Sequence, residues 1–205
     1  MSVITSIFSH KTIATITTLL MTGLSAPTYS DTFPQNTRYQ VCFTPGGDCT
    51  SLIVKEIHQA HQSIKLQAYS FTSKPIARAI AEAKDKGIEV TIVLDKSQSK
   101  KNKYSATKYL LKHNIPIWVD YAPAIAHNKV IVIDQSTVIT GSFNFTHAAQ
   151  YENAENILVI HDPILAEQYS KNLLARKVVS KKMRPSRAKV KARRPPRTWY
   201  DLMVS

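Results

Sequence analysis

Strand-like and helix-like segments alternate along the chain from residue 38 to residue 179, and this alternation is the strongest constraint on its fold. Several strand-like segments, such as 130–133 and 157–160, are apolar at successive positions, which is typical of strands covered on both faces. Two late strands, 127–134 and 137–143, are close enough to form an antiparallel hairpin. We therefore predict an α/β fold, an αβα layered domain in which helices flank a mixed central β-sheet, over residues 31–179.

The basic residues are concentrated at the C-terminal end. The 205 residues include 27 Lys and Arg against 14 Asp and Glu, with a formal net charge of +13. The segment 176–205 alone contains 11 basic residues and one acidic residue. Because Pro185, Pro195 and Pro196 exclude a continuous helix, we predict that 180–205 is a basic, disordered tail. Such a tail favours a polyanionic partner, which is either nucleic acid or an anionic membrane surface.

The first residues resemble a secretory signal. Residues 12–26 form an apolar run that is too short and too rich in Thr for a comfortable membrane span. We predict a signal peptide over 1–30, cleaved after Ser30, with Ala26 as the other cleavage position and a buried first helix as the other structural interpretation. The protein would then be periplasmic or secreted.

Export would allow a disulfide between Cys42 and Cys49, because the Pro-Gly-Gly turn between them folds the chain back. The alternative is a pair of reduced thiols. Their spacing does not suit a metal site, and His58 and His61 lack an acidic or Cys partner at ligand spacing, so we predict no metal site.

A group of polar residues lies on the predicted hairpin. His127 and Lys129 share one face of their strand, and Ser142 and Asn144 share a face of theirs. A two-residue turn would place Lys129 opposite Ser142 and His127 opposite Asn144. A slip of one residue would scatter this patch.

Taken singly, a strand His is usually structural, and a Lys beside an apolar run usually extends to solvent. Together, with no carboxylate on the hairpin face, these side chains form a positive patch that fits a phosphate group. His127 can attack phosphorus or protonate a leaving oxygen, while Lys129 and Asn144, with Ser142 beside them, hold the other oxygens. Asp134 lies at the turn, five residues after Lys129, so its side chain faces the other side of the strand. This position indicates a structural role.

These residues resemble the HKD signature of the phospholipase D superfamily, H-x-K-x4-D followed by G-S-x-N, and every position matches: His127, Lys129, Asp134, Gly141, Ser142 and Asn144. Within the superfamily the chain resembles the small bacterial endonucleases that carry a secretory signal and one HKD motif. The resemblance covers residues 39–179 and leaves the basic tail outside.

The resemblance implies a mechanism. In that family two HKD motifs form one active site, in which one histidine forms a phosphohistidine and the other protonates the leaving oxygen, without a metal ion or other cofactor. Since this chain has one motif, the resemblance implies a homodimer that combines His127, Lys129 and Asn144 of both subunits. It also implies that Glu155 orients the nucleophilic histidine, although an acid at the start of a strand can equally be an ordinary exposed residue. The predicted catalytic set is thus His127, Lys129, Asp134, Ser142, Asn144 and Glu155.

Three functions agree with these observations. The first is a nuclease that hydrolyses DNA, with RNA as a second substrate and with little sequence preference, since nothing resembles a base-reading module. The second is a phospholipase D whose tail binds anionic lipid, although no amphipathic membrane helix is evident. The third is a nucleic-acid-binding protein without turnover.

Overall fold

The computed structural model describes residues 31–99 and 105–183. Its centre is an eight-stranded mixed sheet in the order β1-β7-β6-β5-β2-β3-β4-β8. The strands are β1 (Arg38–Thr44), β2 (Ser63–Ala68), β3 (Glu89–Asp95), β4 (Ile117–Asp120), β5 (Lys129–Ile133), β6 (Thr137–Gly141), β7 (Glu155–His161) and β8 (Lys181–Lys182). The helices are α1 (Cys49–His58), α2 (Lys74–Asp85), α3 (Ser105–Lys112), α4 (His147–Tyr151) and α5 (Pro163–Val178), with a turn of 3-10 helix at Lys96–Ser99. The predicted α/β architecture is confirmed.

Apolar side chains cover both faces of the sheet. Because side chains alternate along β5, Ile131 faces the layer that contains α1 and α2, and Val130 faces α5. The helices start at capping residues whose side chains accept backbone N–H groups, namely Asp48, Ser73 and Asp162. The sheet is thus a rigid support on which the loops at its ends are displayed.

One end of the sheet gathers the residues of interest. Strands β2, β3 and β4 run parallel and end there, and β5 begins there because it runs antiparallel to β2. Lys129 pairs with Ala68, the last residue of β2, so His127 lies just beyond the end of the ladder.

The β5–β6 hairpin differs by one residue from the prediction. Val130 pairs with Thr140, and the connection comprises the three residues 134–136. Asp134 and Gln135 adopt φ values of 50° and 52°. The left-handed conformation is common for Asp but is not signalled by Gln, which explains why the sequence suggested a shorter turn.

The domain extends past the predicted boundary at residue 179. Lys181 and Lys182 form β8, which pairs antiparallel with β4, so the predicted disorder from residue 180 onward is wrong at these positions. The rest of the predicted tail, 184–205, and the predicted signal peptide, 1–30, lie outside the described residues. Within 31–99 and 105–183, no helix combines the length and hydrophobicity needed to cross a membrane.

The predicted disulfide between Cys42 and Cys49 is present and joins the edge strand β1 to the start of α1. Gly47 in the intervening turn lies so close to the Cys42 sulfur and the Phe43 backbone that a Cβ there would overlap with both. The turn is therefore tightly packed under the disulfide.

Candidate active site

His127 and Lys129 are in direct contact at the start of β5. Lys129 Nζ lies 2.9 Å from the backbone oxygen of His127 and 2.9 Å from its ring Nδ1. The ring of Tyr69 packs against the imidazole, with 4.5 Å between the ring centroids. His127 is exposed and Lys129 is buried. The imidazole is therefore accessible to a substrate, and the buried ammonium contacts it from the protein side.

Asn128 fixes the backbone between these two residues. Its backbone oxygen accepts the N–H of Tyr69 at 2.8 Å, and its side-chain oxygen accepts a bond from the Gln67 amide at 3.1 Å. The two bonds join the segment before β5 to the end of β2, which places the His127 side chain at the sheet end. Tyr69 and Gln67 were not among the predicted site residues, and only their place within residues 39–179, the range of the family resemblance, could have indicated them.

Lys129 has a perturbed pKa. Burial lowers the pKa of its ammonium below the ordinary value, and the nearby Glu155 carboxylate opposes this effect by favouring the charged form. Glu155 lies at the start of β7, outside the hairpin. The expectation that no carboxylate balances the positive patch holds for the hairpin itself but not for the whole site.

Glu155 is held by hydrogen bonds on both of its carboxylate oxygens. Ser142 Oγ donates to Oε2 at 2.5 Å, and the Asn153 side-chain amide donates to Oε1 at 2.9 Å. Its backbone N–H donates to Thr44 Oγ1 at 3.1 Å. Among the described residues no hydrogen bond joins Glu155 to His127, so within one chain the carboxylate orients Ser142 and not the imidazole.

A bulge in the β6–β7 pairing aims Ser142 at this carboxylate. The backbone N–H groups of Ser142 and Phe143 both donate to the backbone oxygen of Asn156, at 3.1 and 3.3 Å. Two residues thus oppose one, which is the definition of a β-bulge. A Cβ on Gly141 would overlap with the same oxygen of Asn156. Glycine is therefore required at this position of the motif for the close approach of the two strands.

Asn144 brings an unsatisfied polar atom to the region. Its side-chain Oδ1 is buried and has no hydrogen-bond partner among the described residues. A buried acceptor without a partner costs about 1–3 kcal/mol. A ligand that satisfies the Asn144 amide would recover this free energy. In the described part of the chain, this oxygen therefore accepts no hydrogen bond from the other predicted site residues.

Asp134 lies at the opposite end of β5 from His127. The five residues of β5 place it about 16 Å from Lys129, at about 3.3 Å per residue. Its carboxylate accepts three backbone N–H groups of residues 61–63, each at 2.8 Å. Burial alone would raise the pKa of Asp134, but these donors outweigh it and hold the pKa below its usual value. Asp134 therefore fastens the turn to the start of β2, and none of the hydrogen bonds of its carboxylate joins it to His127, Lys129 or Asn144, so these contacts indicate a structural role.

Within the described ranges, no group of three or more His, Cys, Asp or Glu side chains is arranged to hold a metal ion. The polar groups at the sheet end are instead an imidazole, an ammonium, a hydroxyl, an amide and one carboxylate. This set can bind an oxyanion and offers one nucleophilic ring nitrogen.

Known proteins are similar to this chain in sequence and in fold. The family described as "Cardiolipin synthase, PLD-like domain" matches residues 53–176, more than half of the chain. Phospholipase D of Rickettsia conorii is 40% identical over 173 residues, which cover 84% of this chain and 83% of that protein. Human mitochondrial cardiolipin hydrolase is 30% identical over 122 residues, 59% of this chain and 48% of that protein.

A solved structure agrees with these matches. Nuc from Salmonella typhimurium, a phospholipase D family member, superposes with a TM-score of 0.69 at 37% identity and covers 72% of this chain and 99% of its own. The shared fold therefore includes the sheet that carries the HKD residues. The chain belongs to the phospholipase D superfamily of phosphodiesterases.

Proposed function

We propose that this phosphodiesterase is an endonuclease of low sequence specificity that hydrolyses DNA, with RNA as a second substrate, without a metal ion. The observation that carries the proposal is the exposed His127 imidazole in contact with the buried Lys129 ammonium, in a chain of net charge +13. The site offers a nucleophile and an oxyanion-binding cation, and the charge favours a polyanionic substrate.

The proposed reaction has two steps. A ring nitrogen of His127 attacks phosphorus, an N–P bond forms, and the P–O bond to the leaving oxygen breaks. The leaving oxygen takes a proton from the His127 of a second copy. Water then attacks the phosphohistidine, the N–P bond breaks, and the second imidazole accepts the proton from water. Each step is a simple displacement with balanced proton transfer, and both imidazoles return to their starting state.

The remaining residues have distinct roles in this proposal. Lys129 and Asn144 bind the nonbridging phosphate oxygens, where negative charge increases in the transition state. Ser142 helps to bind the same group. Glu155 is a positioning residue, because it holds the Ser142 hydroxyl and favours the charged form of Lys129.

The surface of the edge strand β1 supports a dimer. Tyr39, Val41 and Phe43 alternate along β1, so they share a face, and all three are exposed. Phe43 pairs with Asn156, whose N–H groups donate to Ser142. Exposed apolar residues on an edge strand favour association, and this face extends to the site. A second copy that covers it would bring two His127 side chains toward one cleft.

Mixing the wild type with an inactive variant tests whether two subunits share one active site. We expect an excess of the His127→Ala variant to suppress wild-type activity, because heterodimers then hold one imidazole instead of two. Light scattering should show a dimer, and Val41→Lys should give a less active monomer. A fully active monomer would exclude the shared site.

The function itself is tested with purified mature protein in EDTA, incubated with plasmid DNA, single-stranded RNA or phosphatidylcholine vesicles. The matched control for His127→Ala is His58→Ala, which removes another exposed imidazole, one that pairs with Glu82 on α2. We expect wild type and His58→Ala to cut DNA and His127→Ala to be inactive. Activity that requires added divalent metal, or that survives in His127→Ala, would contradict the proposal.

A second candidate function is phospholipid hydrolysis. The observation in its favour is that two relatives carry the names phospholipase D and mitochondrial cardiolipin hydrolase. The same residues would then act on a lipid phosphodiester. Release of choline or of phosphatidic acid from vesicles, with intact plasmid DNA, would favour this function. Binding of DNA with no turnover of either substrate would favour the non-catalytic alternative.

We also propose that the protein acts in the periplasm or outside the cell. The Cys42–Cys49 disulfide supports this location, because such bonds persist in oxidising compartments. N-terminal sequencing of protein from a periplasmic fraction should begin at Asp31. A cytoplasmic protein that retains residues 1–30 would contradict the proposal.

A further inference from the structure

Lys129 and Lys181 lie in the same row of the sheet, four strands apart. The row runs from β5 to β8 through the paired residues Ala68, Leu94 and Val119. Residues paired in one row project from the same face. At about 4.8 Å per strand, Lys181 lies about 19 Å from Lys129. Lys181 is therefore aligned with Lys129, whereas Lys182, which pairs with Trp118, projects from the opposite face, where α5 lies.

Aromatic rings and ammonium groups alternate at this edge. Tyr121 is 46% exposed, and Lys181 Nζ lies 5.5 Å from its ring centroid. The ring of Trp118 lies near two ammonium groups, those of Lys177 at 4.2 Å and Lys182 at 5.7 Å. We name these five residues the basic–aromatic edge. Within residues 31–99 and 105–183, no carboxylate lies within 4 Å of the three ammonium groups.

The basic–aromatic edge is built into the fold. The fully buried Asp120 accepts two hydrogen bonds from the Arg176 guanidinium, at 2.8 and 2.9 Å. This ion pair fixes the end of α5 against β4 and so places Lys177 over Trp118. The backbone N–H of Met183 donates to Ile117 at 2.7 Å, which holds the chain after β8. Lysines on an edge strand also prevent sheets from pairing edge to edge, but that role does not explain Lys177 on α5 or the exposed Tyr121.

The loop from β4 to β5 connects this edge directly to the site. Residues 122–126 follow Tyr121 and lead to His127. Lys96 Nζ donates to the backbone oxygen of Pro123 at 3.1 Å, and Asp95 accepts the backbone N–H of Ala126 at 2.8 Å. The loop is thus held across the end of β3, and a polymer that follows it would span from the edge to the imidazole.

We propose that the basic–aromatic edge is a second contact site for single-stranded nucleic acid, on the strand whose scissile phosphate lies at His127. Bases stack on Tyr121, and the ammonium groups of Lys177, Lys181 and Lys182 bind phosphates. Grooves that combine aromatic and cationic side chains bind single strands because every base has a π face and every phosphate a charge. The proposal rests on the proposed nuclease function and names the form of its substrate.

Binding tests the edge separately from cleavage. In a His127→Ala background, the triple variant Lys177→Gln/Lys181→Gln/Lys182→Gln should bind fluorescent oligothymidine of about twenty nucleotides more weakly. The salt slope, which is the slope of the logarithm of the binding constant against the logarithm of the salt concentration, should fall in magnitude by about 2. Each phosphate contact on a single strand contributes about 0.7 to this slope. The matched control Lys55→Gln/Lys84→Gln/Lys86→Gln removes the same charge from the ends of α1 and α2, at the other end of the sheet. Its salt slope should stay near that of the parent.

Tyr121→Ala tests stacking. We expect at least about a fivefold loss of oligothymidine affinity, because base stacking on an aromatic side chain contributes about 1–3 kcal/mol. Duplex DNA of the same length should lose less affinity, since its bases are not free to stack.

With His127 intact, the edge variants should raise KM for oligothymidine, while kcat and the hydrolysis of bis(p-nitrophenyl) phosphate stay unchanged. Tyr121→Ala and Lys181→Gln alone keep the test valid if the triple variant has a lower melting temperature.

The outcomes separate the two proposals. If the triple variant and Tyr121→Ala bind oligothymidine as the controls do, the edge proposal is wrong, whether or not the protein cuts DNA. If the wild type binds oligothymidine through the edge but never cleaves it, the nuclease function is wrong and the edge site remains. Loss of binding to phosphatidylglycerol vesicles, with unchanged oligothymidine binding, would assign the edge to membranes and overturn the proposal.

Discussion

The Ser142 hydroxyl donates a 2.5 Å hydrogen bond to the Glu155 carboxylate, which also acts electrostatically on Lys129. The ammonium belongs to the first residue of β5 and the hydroxyl to the residue directly after β6, whereas the carboxylate comes from the first residue of β7. The site therefore depends on the β6–β7 pairing as much as on the HKD hairpin itself.

Glu155→Gln should shift the pH profile. Burial already lowers the pKa of Lys129, and the negative charge of Glu155 partly offsets this. Without that charge, the pKa of Lys129 falls further. We expect the decrease of kcat/KM at alkaline pH to reflect loss of the Lys129 proton, so this decrease should begin at a lower pH. We expect at least about a tenfold loss of activity at neutral pH. Ser142→Ala is the control, because it removes the hydrogen bond but keeps the charge. An equal shift in both variants would contradict the electrostatic role.

Asp134→Asn should reduce stability by about 2 kcal/mol, since an amide replaces a carboxylate that accepts three backbone N–H groups. The pKa of Asp134 is lowered on folding, so its contribution is present above the unfolded pKa and is lost as pH falls through the folded value. Urea unfolding should therefore show a difference between wild type and variant that is complete at neutral pH and shrinks below about pH 4. For the variant that still folds, kcat should be unchanged, because Asp134 lies at the far end of β5.

The order of the main elements could be predicted from periodicity, but the hairpin register could not. The predicted two-residue turn would have aligned Lys129 with Ser142, whereas the ladder places Lys129 in line with Gly141. A slip of one residue reverses which face a side chain occupies. The bulge at Asn156 compensates for this, because it turns Ser142 back toward Glu155. Sequence periodicity does not record such a bulge, since it depends on contacts with a distant strand.

The boundary of the domain was also outside the reach of local sequence patterns. Two consecutive lysines in a basic segment suggest a solvated tail, yet Lys181 and Lys182 pair with β4. An ion pair between the buried Asp120 and the partly exposed Arg176, which are 56 residues apart, holds the end of α5 against β4. A long-range contact of this kind has no periodic signature.

Gly141→Ala should be costly for stability and activity together. The added Cβ would overlap with the backbone oxygen of Asn156, so the β6–β7 bulge must open. We expect a loss of roughly 2–4 kcal/mol in thermal or urea unfolding, and a large loss of kcat because Ser142 moves away from Glu155. Gly87→Ala is the matched control. Gly87 also has a positive φ, of 91°, but a Cβ there would meet no atom within 4 Å. Gly87→Ala should lower the free energy of unfolding by less than Gly141→Ala does, and its kcat should equal that of the wild type. Comparable losses in both variants would show that backbone strain, and not the contact with Asn156, determines the effect.

The disulfide should support the site through Thr44. This residue follows Cys42 by two positions, and its Oγ1 accepts the backbone N–H of Glu155 at 3.1 Å, while the backbone oxygens of residues 149 and 153 share its one proton. Replacing both cysteines by Ser removes a short covalent loop, which should lower the free energy of unfolding by about 2 kcal/mol. If Thr44 transmits the change, the double variant should also have a lower kcat at temperatures well below its unfolding transition. Thr44→Val, which keeps the disulfide and removes the hydroxyl, should reproduce the loss of kcat with less loss of stability. A double variant that is less stable but fully active would restrict the disulfide to a role in stability alone.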